Sequence, residues 1–337
     1  MRTMKILIRV PNWIGDSILA RPAIESIADN FPEAELWLSA AEWVKDLFPS
    51  EGAIAGVVPL SPPNSIKSVR AAAQKLRAQS FDIGMLLTNS FGSAWLFFLA
   101  GIPQRWGYAG DGRRRLLTRA VRSTDRDAPR HQVHYYLDLV TGLGLKARPP
   151  GLLLTVPEEE KERARRFLEE MGVDPRRPLL ILSPGAGYGP AKRWPASRFA
   201  ALASLFQERK DAAVLVIGSA AESALAASIS STLGKKPCVL TGKTTLPQLK
   251  GLISLARLFV SNDSGPMHLA NALRVPVVGI FGPTDPAVTG PFEPPAAVVK
   301  KDVPCWPCSY RKCPYDHRCM MRIDSEEVYR AGEALWG

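Results

Sequence analysis

Residues 258–281 read LFVSNDSGPMHLANALRVPVVGIF, and this stretch decides the fold. An apolar run at 258–260 breaks at Asn262-Asp263-Ser264-Gly265, a helical stretch follows over 266–273, and a second apolar run fills 275–281. Two short, continuously apolar runs joined through a helix form a βαβ unit, whose strands pair in parallel and are covered on both faces. Working outward, strand-like runs at 179–182, 213–217 and 238–240 alternate with helical stretches near 195–208, 220–232 and 246–256. The N-terminal half repeats the pattern less sharply. Strands are expected at 5–10, 35–38 and 81–87, and a helix at 15–30 carries Ile18, Leu19, Ile24 and Ile27 at helical spacing. Residues 157–171, PEEEKERARRFLEEM, open with Pro and place acids before bases, which suits the helix dipole.

The expected fold is therefore α/β, with two Rossmann-like doubly wound parallel-sheet domains facing a central cleft. The N-terminal domain spans 1–150 and the C-terminal one 151–321, with a hinge near the polar, Pro-containing residues 148–157. A last helix, 322–337, is expected to pack back on the first domain. Ligands of open α/β sheets bind at the carboxyl ends of the strands, so chemistry is sought there.

The 337 residues suit about two domains. With 46% apolar and 22% charged residues, disorder, collagen and coiled coil are excluded. The longest greasy run, 94–100, falls far short of the roughly 20 residues that cross a bilayer. Arg9 and Asp16 interrupt the N-terminal apolar run, so no signal peptide is read there and a cytoplasmic location is expected. The net charge of +11 is unevenly placed. Residues 1–100 balance at 9 Lys/Arg against 9 Asp/Glu, whereas 101–150 hold 10 against 4, led by Arg105, Arg113, Arg114, Arg115, Arg119 and Arg122. Such a patch attracts a polyanion or an anionic membrane, or is simply a solvated face.

Four strand ends carry candidate chemistry. The first reads Pro11-Asn12-Trp13-Ile14-Gly15-Asp16-Ser17 and lacks the G-x-G-x-x-G of a dinucleotide site, which argues against a nicotinamide dehydrogenase. Asp16 is either an ordinary helix-start residue or a base for a substrate hydroxyl. After 179–182 come three glycines, Gly185, Gly187 and Gly189, then Lys192 and Arg193. That is neither a P-loop nor a Rossmann fingerprint, yet close backbone approach and adjoining cations suit a phosphate. In the 262–268 segment Asp263 or Ser264 caps a helix, Gly265 leaves amides open, and His268 lies about one turn in, as ligand or as structure. Glu222, after 213–217, could take a ribose diol or face solvent. Anion loops and a carboxylate in one domain describe a nucleotide diphosphate pocket. A lone Asp16 in the other domain suggests group transfer to an acceptor.

These stretches also carry a resemblance. ILIRVPNWIGDSILARPAI (6–24), SPGAGYGPAKRWP (183–195), SNDSGPMHLANAL (261–273) and VPVVGIFGPTDP (275–286) resemble the lipopolysaccharide heptosyltransferases of glycosyltransferase family 9, nearest their heptosyltransferase II group. The resemblance runs over nearly the whole chain. It implies a GT-B fold and metal-independent, inverting transfer of heptose from ADP-L-glycero-D-manno-heptose to the first heptose of the lipopolysaccharide inner core. By position, it makes Asp16 the catalytic base and Lys192 the group that neutralises the donor phosphates. Glu222 would be the ribose-binding carboxylate, and Asp263, Ser264, Gly265 and His268 the pyrophosphate loop. The implied acceptor, heptosyl-Kdo2-lipid A, is an anionic glycolipid, which suits peripheral contact with the cytoplasmic face of the inner membrane and no nucleic acid partner.

Cys305, Cys308, Cys313 and Cys319 form a C-x2-C-x4-C-x5-C cluster enclosing His317. A structural zinc there is one reading, and reduced packing thiols are the default. Catalysis itself is expected to need no cofactor or metal. Other readings of the whole chain are heptosyltransferase I or III, a nucleotide-sugar epimerase of similar fold, and a basic, zinc-carrying RNA-binding protein.

Overall fold

Continuous apolar runs become the buried central strands of two parallel sheets in a computed structural model, which describes residues 2–48, 54–60, 65–123 and 130–337. The chain divides into two units, Met1–Gly151 and Leu152–Gly337.

In the first unit the strands are β1 (Lys5–Arg9), β2 (Glu35–Ala40), β3 (Ile54–Pro59), β4 (Ile83–Leu86), β5 (Gln104–Tyr108) and β6 (Arg119–Val121). Their order is β3-β2-β1-β4-β5-β6, all parallel. The direction of winding reverses between β1 and β4, and the crevice that opens at such a point is where doubly wound sheets bind ligands. Helices Ile66–Arg77 and Phe91–Leu99 pack together on one face, burying Leu76, Ala94 and Phe97 against Leu7 and Leu86. Helices Arg21–Asn30 and Gln132–Gly142 pack against each other.

In the second unit β7 (Leu179–Ser183), β8 (Ala213–Val216), β9 (Cys238–Val239), β10 (Leu258–Asn262), β11 (Val277–Phe281) and β12 (Ala296–Lys300) take the order β12-β11-β10-β7-β8-β9. Again all pairs are parallel, and here the reversal lies between β7 and β10. Both units are thus the doubly wound α/β sheets expected from the sequence.

Two local readings need correction. The single helix expected over 15–30 is two, Ile14–Leu19 and Arg21–Asn30, broken at Ala20. Pro22 has no amide to continue the first helix and instead sits in the first turn of the second, where none is needed. The terminal helix Ser325–Trp336, expected on the first domain, packs within the second unit, on helix Ala196–Arg209 and against β10, β11 and β12. Its apolar stripe explains this. Val328, Tyr329 and Trp336 are buried, and the Tyr329 and Trp336 rings lie 4.8 and 4.9 Å from that of Phe206.

Candidate active site

The site in the second unit is assembled by the loops that leave β7, β8 and β10. Asn262, the last residue of β10, fastens two of them: its side-chain amide donates to the carbonyl of Pro184 at 2.7 Å, and its Oδ1 accepts from the Trp194 amide at 3.0 Å. Both ends of the Gly-rich loop are therefore tied to the strand that delivers Asp263.

Within that loop Lys192 ends a short turn, Pro190–Lys192, and is buried. Its Nζ donates to Oδ2 of Asp263, also buried, and lies 4.8 Å from the Tyr188 ring centroid. The same Asp263 oxygen accepts from Thr284 Oγ1 at 2.6 Å and Thr289 Oγ1 at 3.3 Å. Asp263 is thus directed at a lysine and two hydroxyls. An ammonium has three donors, so the pair with Asp263 leaves Lys192 others to offer an anion.

Ser264 caps helix Gly265–Ala272 with extended backbone, but its hydroxyl lies 3.1 Å from Ser261 Oγ and does not turn back onto the helix. The amides of Ser264 and Gly265 make no hydrogen bond among the described residues. Together with the helix dipole they form a donor pair suited to an anion. His268 is buried in the same helix, one turn in.

Glu222 closes the other side of the loop. Its carboxylate accepts from the Ser219 amide at 2.7 Å and hydroxyl at 3.0 Å. It also lies directly on Gly185, where a Cβ would come within 1.7 Å of Glu222 Oε1. A side chain at 185 would displace the carboxylate, which occupies the space it would fill.

Sequence reasoning missed the wall behind this loop. The cysteine segment lies on it: the Ala191 amide donates to the Arg311 carbonyl at 3.1 Å, Tyr188 Oη donates to the Ser309 carbonyl at 2.6 Å, and His317 Nε2 donates to the Ala191 carbonyl at 2.7 Å. A Cβ on Gly189 would lie 2.2 Å from the Arg311 carbonyl oxygen. Cys305, Cys308, Cys313 and Cys319 line one small cavity with His317, and all are free thiols. Among the described residues no three His, Cys, Asp or Glu side chains are placed to hold a metal ion. Burial raises the Cys319 pKa against a smaller opposing effect of the Met320 backbone hydrogen bond. Thr284 and Thr289 were also missed. The GPTDP run was noticed, but nothing local in it signals an aspartate partner.

In the first unit Asp16 is the third residue of helix Ile14–Leu19, in the loop region after β1, and Trp13 is the cap. The loop before it is clamped. Arg9, buried, donates to Asn12 Oδ1 at 2.6 Å and to the Leu60 carbonyl at 3.1 Å, while Trp43 Nε1 donates to the Asn12 carbonyl at 2.8 Å. Burial lowers the Arg9 pKa to about 10. Tyr136, on the helix packed against this one, has its hydroxyl pKa pushed up by burial and, next, by the Asp16 charge. One member of the basic cluster is not a surface group. Arg113 is fully buried and donates through Nε to the Tyr108 carbonyl at 2.8 Å and through Nη2 to Asn89 Oδ1 at 3.2 Å.

Residues 69–318 match glycosyltransferase family 9 (heptosyltransferase). Lipopolysaccharide heptosyltransferase 2 of Salmonella typhimurium is 33% identical over 312 residues, covering 88% of each chain. The structure of E. coli ADP-heptose lps heptosyltransferase II superposes with a TM-score of 0.84 at 29% identity, over 99% of this chain and 98% of that one. Lipopolysaccharide heptosyltransferase 3 of E. coli is more distant, at 26% identity over 95% of each. On this match and this architecture, the chain belongs to glycosyltransferase family 9, the heptosyltransferases.

Proposed function

We propose that this enzyme acts as a heptosyltransferase II, moving heptose from an ADP-heptose donor to the first heptose of the lipopolysaccharide inner core. The observation that supports it is the convergence, at the switch point of the second sheet, of a buried lysine, open helix amides and a carboxylate set against glycine. In this reading the diphosphate meets Lys192 and the Ser264 and Gly265 amides, with His268 beside it, while Glu222 accepts the ribose hydroxyls. Asp263 orients Lys192 for the phosphates.

The reaction then follows from charge. An acceptor hydroxyl attacks the sugar's anomeric carbon from the face opposite ADP. The bond to the phosphate oxygen breaks with its electron pair, and the proton passes to Asp16. The configuration inverts. ADP gains charge as it departs, so fixed cationic and amide donors stabilise the transition state more than the bound donor. Protein groups carry that role, and turnover is proposed to persist in EDTA.

The acceptor is proposed to be an anionic glycolipid, reached by peripheral contact at the cytoplasmic face of the inner membrane. Among the described residues no helix is long and apolar enough to cross a membrane. The deciding experiment measures ADP release with acceptors bearing zero, one or two heptoses. Transfer only to the singly heptosylated acceptor supports the reading. Preference for either of the others reassigns the step, and sugar conversion without an acceptor would make the protein an epimerase.

A further inference from the structure

Helix Phe91–Leu99 has two apolar faces and only one core to bury them in. Ala94, Leu96 and Phe97 enter the core of the first unit. Phe91, Trp95 and Phe98 point the other way and remain 46%, 38% and 45% exposed. Their rings stack on one another, with centroids 6.2 and 5.6 Å apart and interplanar angles of 17° and 19°. Three large aromatics at i, i+4 and i+7 on a water-facing strip form an apolar patch of the kind that marks an interaction surface.

Its surroundings are cationic. From Ser65 to Arg122 the sequence holds ten Lys/Arg and two Asp/Glu, Asp82 and Asp111. Those two acids are engaged: Asp82 with Arg2 and the Lys5 amide, Asp111 with the Phe91 amide. The neighbouring helix Ile66–Arg77 presents Lys67 and Arg70 to solvent, and the turn Arg113–Leu116, packed on the aromatic helix, presents Arg114 and Arg115. None of these four is in an ion pair among the described residues. Arg105 lies 5.4 Å from the Phe98 ring.

We propose that this aromatic strip with its basic rim docks the enzyme on an anionic lipid bilayer. Charge complementarity selects that occupant. Aromatic rings sit at the boundary between headgroups and acyl chains, and Lys and Arg nearby are attracted to anionic headgroups. A second copy of the chain would bring two strongly cationic rims together. Nucleic acid bases need open ring faces to stack on, and here the Trp95 ring is already stacked with those of Phe91 and Phe98. The inference rests on the acceptor's being a membrane glycolipid, but its test needs neither donor nor acceptor.

The full chain is floated with phosphatidylcholine vesicles, with and without phosphatidylglycerol. It should bind the anionic vesicles, with binding falling as salt rises. F91S/W95S/F98S should lower partitioning at least about tenfold, and R114E/R115E should abolish the preference for anionic lipid. W95F, a conservative variant, should reduce quenching of tryptophan fluorescence by brominated lipid. The triple variant should still transfer heptose to a soluble, delipidated acceptor. Wild-type protein that fails to float, or a triple variant that floats as well as wild type, overturns the proposal. So does a light-scattering mass, or an RNA gel shift, that changes in the triple variant alone, since it would assign the strip to a second copy or to nucleic acid. A chain that docks but transfers no heptose would instead sink the enzymatic reading and leave the docking surface standing.

Discussion

Lys192 and Asp263 meet as a buried ion pair, Nζ against Oδ2, joining the loop after β7 to the loop after β10. Two threonine hydroxyls donate to the same carboxylate oxygen. Breaking a buried pair from one side leaves an uncompensated charge, at a cost of about 3–5 kcal/mol. Asp263→Ala is therefore expected to lower stability in urea unfolding by that order. Lys192→Ala should weaken both ADP binding and turnover, and unchanged values for both would remove Lys192 from the site.

Gly185→Ala tests the place of Glu222. The added methyl would fall 1.7 Å from Oε1, so the carboxylate has to move. Donor KM should rise at least about tenfold, which is roughly 1.4 kcal/mol, while kcat changes less. Equal KM for the variant and wild type would show that Glu222 does not touch the donor.

The cysteine segment buttresses the Lys192 loop through His317 and Arg311. His317→Ala should weaken ADP binding in calorimetry with little loss of overall stability, whereas Gly189→Ala, whose methyl meets the Arg311 backbone, should weaken ADP binding and lower stability as well. A variant of either kind with wild-type ADP affinity would confine the segment to packing.

The thiol chemistry has a defined direction. Burial raises the Cys319 pKa, so at any given pH less of it is thiolate, and the thiolate is the nucleophile. Iodoacetamide at mildly alkaline pH should label Cys319 more slowly than half-buried Cys305 or Cys313, and the gap should narrow as pH rises. Peptide mass spectrometry over a pH series reads this directly. Fastest labelling at Cys319 would contradict the packing.

The second unit was the more legible in sequence because β7, β10 and β11 are buried along their whole length, leaving unbroken apolar runs. β3, with Gly56 and Pro59, β5, with Arg105 mid-run, and the three-residue β6 left no such signal and were not read. The candidate residues could be named because charged and glycine residues at strand ends have few structural reasons to cluster. Their partnerships were not legible. Thr284, Thr289 and Arg311 reach the site through loops distant in sequence, and only tertiary folding sets those contacts. The terminal helix shows the same limit, since a helix was expected there but the core it fills is set by tertiary packing.

The division of labour between the units is tested most directly by Asp16→Asn, which keeps size and removes the base. The account predicts ADP affinity by calorimetry within about twofold of wild type and heptose transfer reduced by roughly 10²–10⁴. Parallel loss of ADP binding, or transfer at the wild-type rate, would contradict it.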